Sequence, residues 1–458
     1  MPALLRQLTR LAWPLVLSGV VTILVSANDA ILLGRLGAEA VAVGAAAVAV
    51  HSVAALLLSG FTIPAQVLAA RRLGAGDPPG AAREAGLVAA VALWTSLPLT
   101  AGLLLGAGPI LTAIAGPAID VPLGTDYLRL VALGLPVIAV VAVLRGFATG
   151  IGRPRAVLVI TTVAAVVDVA ASIVLLAAGA GTLGVAVGTL AGSVAPLVVA
   201  VIWTVRLRAG GTPVPSATAM LRPPGRAHRQ AWSLGVPEAL LAATAAGSLV
   251  VVTWLLAPDG PVVLATARVL DVAVLVVWTV IYGVAAAGTT MIAERAGGGD
   301  LVGVRRVVRV TAIGTAAVAV VCAAALPVLT PPVLRWAVAD ARVAETAAPV
   351  VWLAWLQVLW MAATATTNAV LRAHRDTRTP LLASLIGEYA VFLPVGWLLC
   401  RALGLELLGV FVAHHVFWAA FLVVGLLRVG RAVSSARPEP IPPASPPPRP
   451  APARDPAP

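Results

Sequence analysis

The residues of this sequence that could do chemistry are acidic side chains embedded in long apolar segments. Asp29, Asp168, Glu238 and Glu388 each stand in such a segment, and Ser172 follows Asp168 one helical turn later. A charged side chain is costly inside a lipid bilayer, so one that occurs there is a candidate for carrying a proton or binding an ion. Reversible protonation and attraction of a cation are therefore the chemistry expected of these positions.

Two of these carboxylates lie in the first half of the chain, at similar expected depth. Asp29 follows about 18 apolar residues, and Asp168 lies 14 residues beyond Pro154, or about 21 Å at 1.5 Å per residue. Two neighbouring acids can share a proton. We therefore expect Asp29 and Asp168, with Ser172 beside Asp168, to form a proton-coupling site. Structural carboxylates held by helix–helix hydrogen bonds are the alternative.

The other two carboxylates lie in the second half. Glu388 is expected near mid-membrane, where it would meet a cationic substrate. Glu238 stands early in its helix, where a carboxylate also favours the helix N-terminus, so both substrate-binding and structural roles stay open. Arg268 and Asp271 are spaced i, i+3 and are expected to neutralise each other.

The sequence indicates neither a metal site nor an enzyme active site. Cys322 and Cys400 stand apart in apolar segments, and His414 and His415 are adjacent and point to different helix faces. No paired His–Glu metal motif, serine nucleophile elbow or phosphate-cradling loop occurs. We expect no metal, no cofactor and no catalysis.

The elements that position these residues must be membrane helices. Of 458 residues, 60% are hydrophobic and 11% charged, and the mean hydropathy is +1.00. About 20 apolar residues cross a bilayer as a helix. Segments of this kind are predicted at 11–33, 41–70, 84–107, 122–144, 155–178, 183–205, 231–256, 262–293, 303–327, 343–370, 381–400 and 407–427. The sequence therefore predicts an all-α membrane protein with twelve transmembrane helices.

The basic residues orient these helices. All 31 are arginine, and 25 fall on the side of the membrane that the N-terminus occupies. Because basic loops stay cytoplasmic, both termini are expected on the cytoplasmic side of a bacterial inner membrane. The net charge of +12 then reflects topology and contact with anionic lipid, and no nucleic-acid partner is expected.

The two halves of the chain repeat. Matching residues recur in the same order at offsets of 223, 226 and 219: Asp77 and Asp300, Pro154 and Pro380, and Trp13 and Trp232. Asp77 and Asp300 are each expected to cap a helix. The repeat encloses six predicted helices, an even number. The two six-helix bundles therefore share one orientation, and such a pair offers a cavity whose access can alternate.

These boundaries divide the chain into four parts. We predict an N-terminal six-helix lobe over 1–207, a cytoplasmic linker over 208–229 and a C-terminal six-helix lobe over 230–430. Residues 431–458 are rich in proline and alanine and are expected to form a disordered cytoplasmic tail.

Over roughly residues 5–430 the sequence resembles the multidrug and toxic compound extrusion (MATE) family. The stretch DAILLGRLG over 29–37 is similar to the family's first helix, and the Gly-Ala-Gly-Asp turn and LR…DTRTP before the eleventh helix also match. The resemblance implies twelve helices in two lobes and cation-driven export of amphiphilic, often cationic compounds. It also implies that Asp29 is a proton-coupling residue.

Two positions depart from the family pattern. The sodium-coupled branch carries an Asp in the tenth helix where this sequence has Met361, so the chain looks more like the DNA-damage-inducible-F-like branch. That branch has an Asn and an Asp one turn apart in the fifth helix, and which of them Asp168 fills stays open. A proton gradient is the expected driving force, with sodium still open.

Other functions stay open beside an exporter. A lipid-linked precursor flippase of the same superfamily would need a strongly cationic central cavity, and few arginines lie mid-span. A non-transporting membrane scaffold or an intramembrane enzyme would keep the helices without carrying a substrate. We expect a monomer whose partners are a small amphiphilic organic substrate and membrane lipid.

Overall fold

The computed structural model describes residues 1–337 and 340–434, and these residues are helical almost throughout, without a strand. The last helix extends to Ser434, four residues into the predicted tail. The rest of that tail, 435–458, lies outside the described residues.

Twelve long helical segments follow one another. They are α1 Pro2–Leu36, α2 Ala38–Gly74, α3 Pro78–Ile114, α4 Val121–Gly150, α5 Pro154–Ala177, α6 Gly181–Ala209, α7 Arg226–Asp259, α8 Pro261–Gly297, α9 Leu301–Trp336, α10 Ala341–Ala347 with Val351–Ala373, α11 Arg378–Ala402 and α12 Glu406–Ser434. The two pieces of α10 are bent by 59° and count as one span. Each predicted span falls on one of these helices, so the all-α, twelve-helix prediction is confirmed.

Several helices are interrupted where the sequence pattern alone predicts a continuous span. The second helix breaks between Ala38–Ser59 and Thr62–Gly74. The eleventh contains two π-helical turns, Ile386–Phe392 and Leu398–Ala402. Such turns inside a helix are frequent at functional sites, and Glu388 lies in the first of them.

The repeated turns act as the sequence predicts. Asp77 accepts a hydrogen bond from the Gly80 amide at 2.8 Å, and Asp300 accepts the equivalent bond from Gly303 at 2.8 Å. Each carboxylate therefore satisfies a free N–H group in the first turn of the helix that follows. Pro154 opens α5, and the helix that begins at Arg378 contains Pro380 in its first turn.

The helices form two lobes, α1–α6 and α7–α12, whose contacts repeat the sequence offset. A Cβ built on Gly60 would lie 2.4 Å from the Ala239 nitrogen, and one built on Gly283 would lie 3.0 Å from the Val16 nitrogen. Each lobe thus contributes one glycine and one partner backbone. Both Gly60 to Gly283 and Val16 to Ala239 are steps of 223 residues. The parallel internal repeat predicted from sequence is therefore present in the packing.

Apolar side chains close the lobes together at one end of the bundle. Leu8 and Ala12 of α1 and Val67 of α2 belong to one buried cluster with Met291 and Ile292 of α8. This is the end at which α1 begins, called the near end below; the opposite end is the far end. In this conformation the two lobes are sealed against each other at the near end.

The linker between the lobes packs on the first lobe. α6 ends at Ala209 and α7 begins at Arg226. Between them lies the short helix Ala217–Leu221. Its Met220 packs against the buried cluster that α2, α3 and α4 share. The linker is therefore attached to the N-terminal lobe.

Candidate functional site

The structure brings the two carboxylates predicted in the first half close together. Asp29 lies seven residues before the end of α1, and Asp168 lies nine residues before the end of α5. Both helices run from the near end to the far end, so the two acids share the far half of the N-terminal lobe. Asp168 is 7% exposed, α1 packs directly against α5, and Leu33 of α1 lies in one buried cluster with residues of α4 and α6.

Asp168 and Ser172 lie where α5 and α6 make their closest approach. The Ser172 hydroxyl donates a long hydrogen bond of 3.5 Å to Asp168 Oδ1. A Cβ built on Gly192 would lie 2.6 Å from the Asp168 Cβ, and one built on Gly188 would lie 1.9 Å from the Ser172 hydroxyl. Small residues four apart allow membrane helices to approach in this way. The Gly188–Gly192 spacing is a sequence signal for this contact that the sequence analysis above did not use.

A tyrosine that the sequence analysis did not single out completes this group. Tyr127 of α4 is fully buried beside Thr189 and close enough to Asp29 and Asp168 for their charges to act on it. The Tyr127 hydroxyl, Asp29 Oδ1 and Asn28 Nδ2 are buried without a hydrogen-bond partner among the described residues. In the sequence, Tyr127 stands out only because tyrosine is rare, with three in the chain.

Three helices, α1, α4 and α5, therefore place two carboxylates and two hydroxyls in one apolar region, against the glycines of α6. Two neighbouring buried carboxylates repel each other when both are charged, and one proton or one cation relieves that repulsion. Buried polar atoms without partners are costly, and they mark a place where a proton, a water or a ligand can bind. The arrangement can hold and release a small positive charge.

The C-terminal lobe contains a cavity of about 770 Å³ between α7, α8, α10, α11 and α12. One wall of it is aromatic, formed by Trp278, Tyr282, Phe417, Trp418 and Phe421. The ring centroids of Trp278 and Trp418 are 6.0 Å apart, and those of Phe417 and Trp418 are 5.0 Å apart. This volume and lining suit a drug-sized apolar molecule.

Two acids reach the same cavity. Glu388 is 3% exposed, and its Oε1 has no hydrogen-bond partner among the described residues. Asp271 also lines this cavity. Arg268 donates hydrogen bonds to Thr253 and to the Leu249 carbonyl instead of forming the close ion pair with Asp271 that its spacing predicts. Asp271 is therefore available to the cavity.

Glu238 is held by an arginine. Its two carboxylate oxygens accept hydrogen bonds of 2.7 and 2.8 Å from the Arg372 guanidinium, and both side chains are nearly buried. The same guanidinium lies 5.8 Å from the centroid of the Tyr282 ring. Arg372 reaches the cavity wall and Glu238 stands behind it. A direct contact between Glu238 and a substrate stays a prediction.

The histidines of α12 have packing contacts. His414 stacks on Phe392 with ring centroids 4.6 Å apart, and His415 Nδ1 lies 2.9 Å from the Phe411 carbonyl. Across residues 1–337 and 340–434, no group of three His, Cys, Asp or Glu side chains is arranged to hold a metal ion.

The fold consists of two six-helix lobes related by a parallel internal repeat. The lobes are sealed against each other at one end, and they contain buried acids and an apolar cavity. These features together define a membrane carrier. The MatE family model matches residues 14–174 and 239–398, one segment in each lobe. The chain belongs to this family, whose members are transporters, and the recognition made from sequence is confirmed.

Curated relatives agree with this assignment. The chain is 30% identical over 446 residues to the "Probable multidrug resistance protein NorM" of Deinococcus radiodurans, covering 94% of this chain and 96% of the relative. It is 26% identical over 414 residues to the protein of the same name from Pseudomonas putida, covering 87% and 88%. The closer likeness to the DNA-damage-inducible-F-like branch stays a prediction.

Solved structures share the fold. A structure described as the outward-facing conformation of a multidrug resistance MATE family transporter superposes with a TM-score of 0.84 at 17% identity, covering 95% of this chain and 97% of that one. The eukaryotic MATE transporter AtDTX14 gives a TM-score of 0.82 at 16% identity, covering 94% and 98%. These likenesses extend over nearly the whole chain, so the architecture is that of the family in both lobes.

Proposed function

We propose that this chain is a secondary antiporter that exports amphiphilic, cationic organic compounds, driven by protons that flow inward through Asp29 and Asp168. The observation that carries the proposal is that these two carboxylates share the far half of the N-terminal lobe on the packed helices α1 and α5, with Asp29 Oδ1 unpartnered among the described residues. A site of this kind changes its charge when it takes up one proton, which is what coupling requires.

The names of the relatives support export of drugs. Both relatives described above are named as probable multidrug resistance proteins, and they match the chain over most of its length. A curated relative from Pseudomonas aeruginosa, "Multidrug resistance protein PmpM", is 30% identical over 166 residues, or 34% of this chain. Multidrug efflux is the activity we therefore assign to this chain.

Proton binding and the change of conformation are thermodynamically linked, and this linkage couples proton entry to transport. A proton drives transport only if it binds one conformation more tightly than the other. In the described conformation the lobes are sealed at the near end, and Asp29 and Asp168 lie toward the far end. Protons enter from the far side in this state, neutralise the pair and weaken its repulsion across α1 and α5. The resulting movement of these helices releases the substrate.

The cavity of the C-terminal lobe suits a cationic amphiphile. Its aromatic wall offers ring faces to a cation, and Glu388 and Asp271 supply negative charge. The positive charge of Arg372 is offset by Glu238. Glu388 is the residue we assign to substrate binding, and Glu238 acts by holding Arg372 in place.

Proton coupling is favoured over sodium coupling by one residue. Met361 is buried and lines the cavity. The family resemblance implies a carboxylate at this position in the sodium-coupled branch, and this chain lacks it. A thioether is a poor ligand for a hard cation such as Na⁺. The proton gradient is therefore the driving force that we propose.

A lipid-linked precursor flippase is the second candidate, and the charges of the cavity argue against it. A pyrophosphate would need unpaired cations. Of the two arginines at this cavity, Arg372 is paired with Glu238, and Arg268 donates a hydrogen bond to Thr253 and lies three residues from the carboxylate Asp271 on the same helix. We propose further that the transporter acts as a monomer in the bacterial plasma membrane, with the near end and both termini cytoplasmic.

The test is efflux of the cationic dye ethidium from bacteria that lack their own drug pumps. Wild type, Asp29→Asn and Asp168→Asn are compared with and without a protonophore. We expect efflux by wild type, its loss in the protonophore, and its loss in both variants. The matched control is Asp126→Asn, which changes an exposed carboxylate at the same end of the same lobe.

The outcomes separate the parts of the proposal. Efflux that survives in Asp29→Asn and Asp168→Asn would reject the coupling site while keeping the exporter. Efflux that persists in the protonophore but stops without sodium would reject proton coupling. A well-expressed wild type without efflux of cationic dyes would reject the proposed substrate class.

A further inference from the structure

A second pocket lies at the near end of the N-terminal lobe, outside both regions described above. It has a volume of about 470 Å³ and is bounded by the start of α1, the start of α5 and the end of α6. Four arginines surround it, namely Arg10, Arg153, Arg155 and Arg206. All four are exposed. The pocket therefore joins a strongly positive rim to the interior of the lobe.

These arginines have no carboxylate partner in the part of the chain that the structure describes. None of the four makes an ion pair with an acidic side chain among residues 1–337 and 340–434. The sequence offers none nearby on the same elements, since no Asp or Glu precedes Asp29 and none lies between Asp168 and Glu238. Four positive charges around one pocket repel each other, so an anion from outside the chain would stabilise them.

The equivalent place in the other lobe is neutralised internally. Arg428 ends α12 as Arg206 ends α6, 222 residues earlier. Arg428 lies 3.1 Å from Asp376, a carboxylate in the turn before α11. The corresponding turn before α5 has Arg153 and no acid. The arginine at this place is thus paired with a carboxylate in the C-terminal lobe and lacks such a partner among the described residues in the N-terminal lobe.

The inside of the pocket is apolar and faces lipid. Leu11, Ile160, Val199 and Trp203 form its lining together with Val159 and Ile202. Val159 is 52% exposed and Ile202 is 48% exposed. Both belong to predicted membrane spans, so the pocket opens toward the bilayer. A free anion in water would gain nothing from such a wall, whereas a hydrocarbon chain would.

The arginines around the pocket indicate which polar group the ligand carries. Guanidinium groups bind phosphate oxygens with two parallel N–H donors. Arg155 is held 5.9 Å from the centroid of the Trp13 ring, which orients its guanidinium at the pocket edge. The N-terminus of α5 at Pro154 adds a favourable dipole for an anion. Tryptophan at this level is typical of the membrane interface, where lipid headgroups lie.

We propose that this pocket binds one anionic diacyl phospholipid, with its phosphate between the four arginines and an acyl chain along α5 and α6. The site is independent of the coupling carboxylates and of the cavity in the C-terminal lobe. Its occupant connects α1 to α5 and α6 by neutralising arginines from all three helices. Neutral or zwitterionic lipids lack the net charge that the rim requires.

The test is lipid retention by the purified full-length protein in native mass spectrometry. Dioleoylphosphatidylglycerol is compared with dioleoylphosphatidylcholine of the same chains. We expect one tightly retained phosphatidylglycerol per protein. In Arg155→Gln/Arg206→Gln its affinity falls about 30-fold, since each arginine near an anionic lipid contributes about fivefold. Arg155→Lys/Arg206→Lys keeps most of the preference and controls for folding.

Arg428→Gln is the matched control, because it removes one exposed, paired arginine at the equivalent place of the other lobe. It is expected to leave the retained lipid unchanged. Equal retention of both lipids by wild type overturns the proposal, as does an Arg155→Gln/Arg206→Gln variant that retains phosphatidylglycerol normally. An equal loss in Arg428→Gln would mean general charge attraction and overturns it too. Displacement of the lipid by millimolar inorganic phosphate would show that the acyl chain is not recognised.

Discussion

Gly74 of α2 and Gly297 of α8 make the same backbone contact in opposite directions. A Cβ built on Gly74 would lie 1.8 Å from the Glu294 carbonyl oxygen, and one built on Gly297 would lie 2.0 Å from the Arg71 carbonyl oxygen. Gly74 to Gly297 and Arg71 to Glu294 are both steps of 223 residues. The near end is therefore closed by a two-fold symmetric crossing that only glycine permits.

Substitution at this crossing should loosen the seal between the lobes. Gly74→Val and Gly297→Val each place a side chain against backbone that cannot move aside, so each is expected to destabilise the described conformation by about 1–3 kcal/mol. The unfolding temperature of the purified protein should fall and efflux should decrease in both variants. Gly102→Ala is the control, since nothing lies within 4 Å of the added Cβ. Equal unfolding temperatures for all three variants would contradict the close crossing.

Tyr127→Phe separates coupling from stability. The Tyr127 hydroxyl is buried without a hydrogen-bond partner among the described residues, so its removal should not destabilise the protein and is expected to raise the free energy of unfolding by up to about 1–3 kcal/mol. Proton-driven efflux should nevertheless slow severalfold, because the hydroxyl lies beside Asp29 and Asp168. Thermal unfolding and dye efflux in vesicles with an imposed pH gradient measure the two effects. A variant with full efflux would remove Tyr127 from the coupling site.

Removing one partner of the Glu238–Arg372 ion pair should destabilise the protein more than replacing both residues with apolar ones. Glu238→Gln leaves the Arg372 charge nearly buried and uncompensated, at a cost of about 3–5 kcal/mol. The double variant Glu238→Leu/Arg372→Met removes both charges and should recover most of that loss. Unfolding temperatures of the single and double variants form the measurement. If the single variant were as stable as wild type, the ion pair would be solvated rather than buried.

Glu388→Gln tests the charge of the cavity in the C-terminal lobe. A charge-assisted contact is worth about 1.5–3 kcal/mol, so the dissociation constant for a cationic dye should rise at least about tenfold. An uncharged dye of similar shape should bind as before. Glu345→Gln, an exposed acid of α10, is the control. Equal effects of Glu388→Gln on both dyes would indicate a packing role for Glu388.

The sequence by itself determined the class of fold. Apolar stretches of membrane-crossing length predicted all twelve membrane-spanning helices, because backbone groups in lipid must be satisfied within a helix. The offset between Asp77 and Asp300 revealed the repeat, and both side chains cap helices as expected. The sequence also identified Asp29, Asp168 and Glu388 as candidate site residues, because an acidic residue is rare in an apolar segment.

Only the tertiary structure decided which of these residues meet. Asp29 and Asp168 are 139 residues apart in the chain, and their proximity depends on how α1 and α5 pack. Glu238 forms an ion pair with Arg372, which lies 134 residues away in the chain. Arg268 bonded to α7 instead of to Asp271, because a neighbouring helix offered acceptors that local spacing cannot reveal. Helix formation depends on near neighbours in sequence, whereas a site depends on the distances between helices.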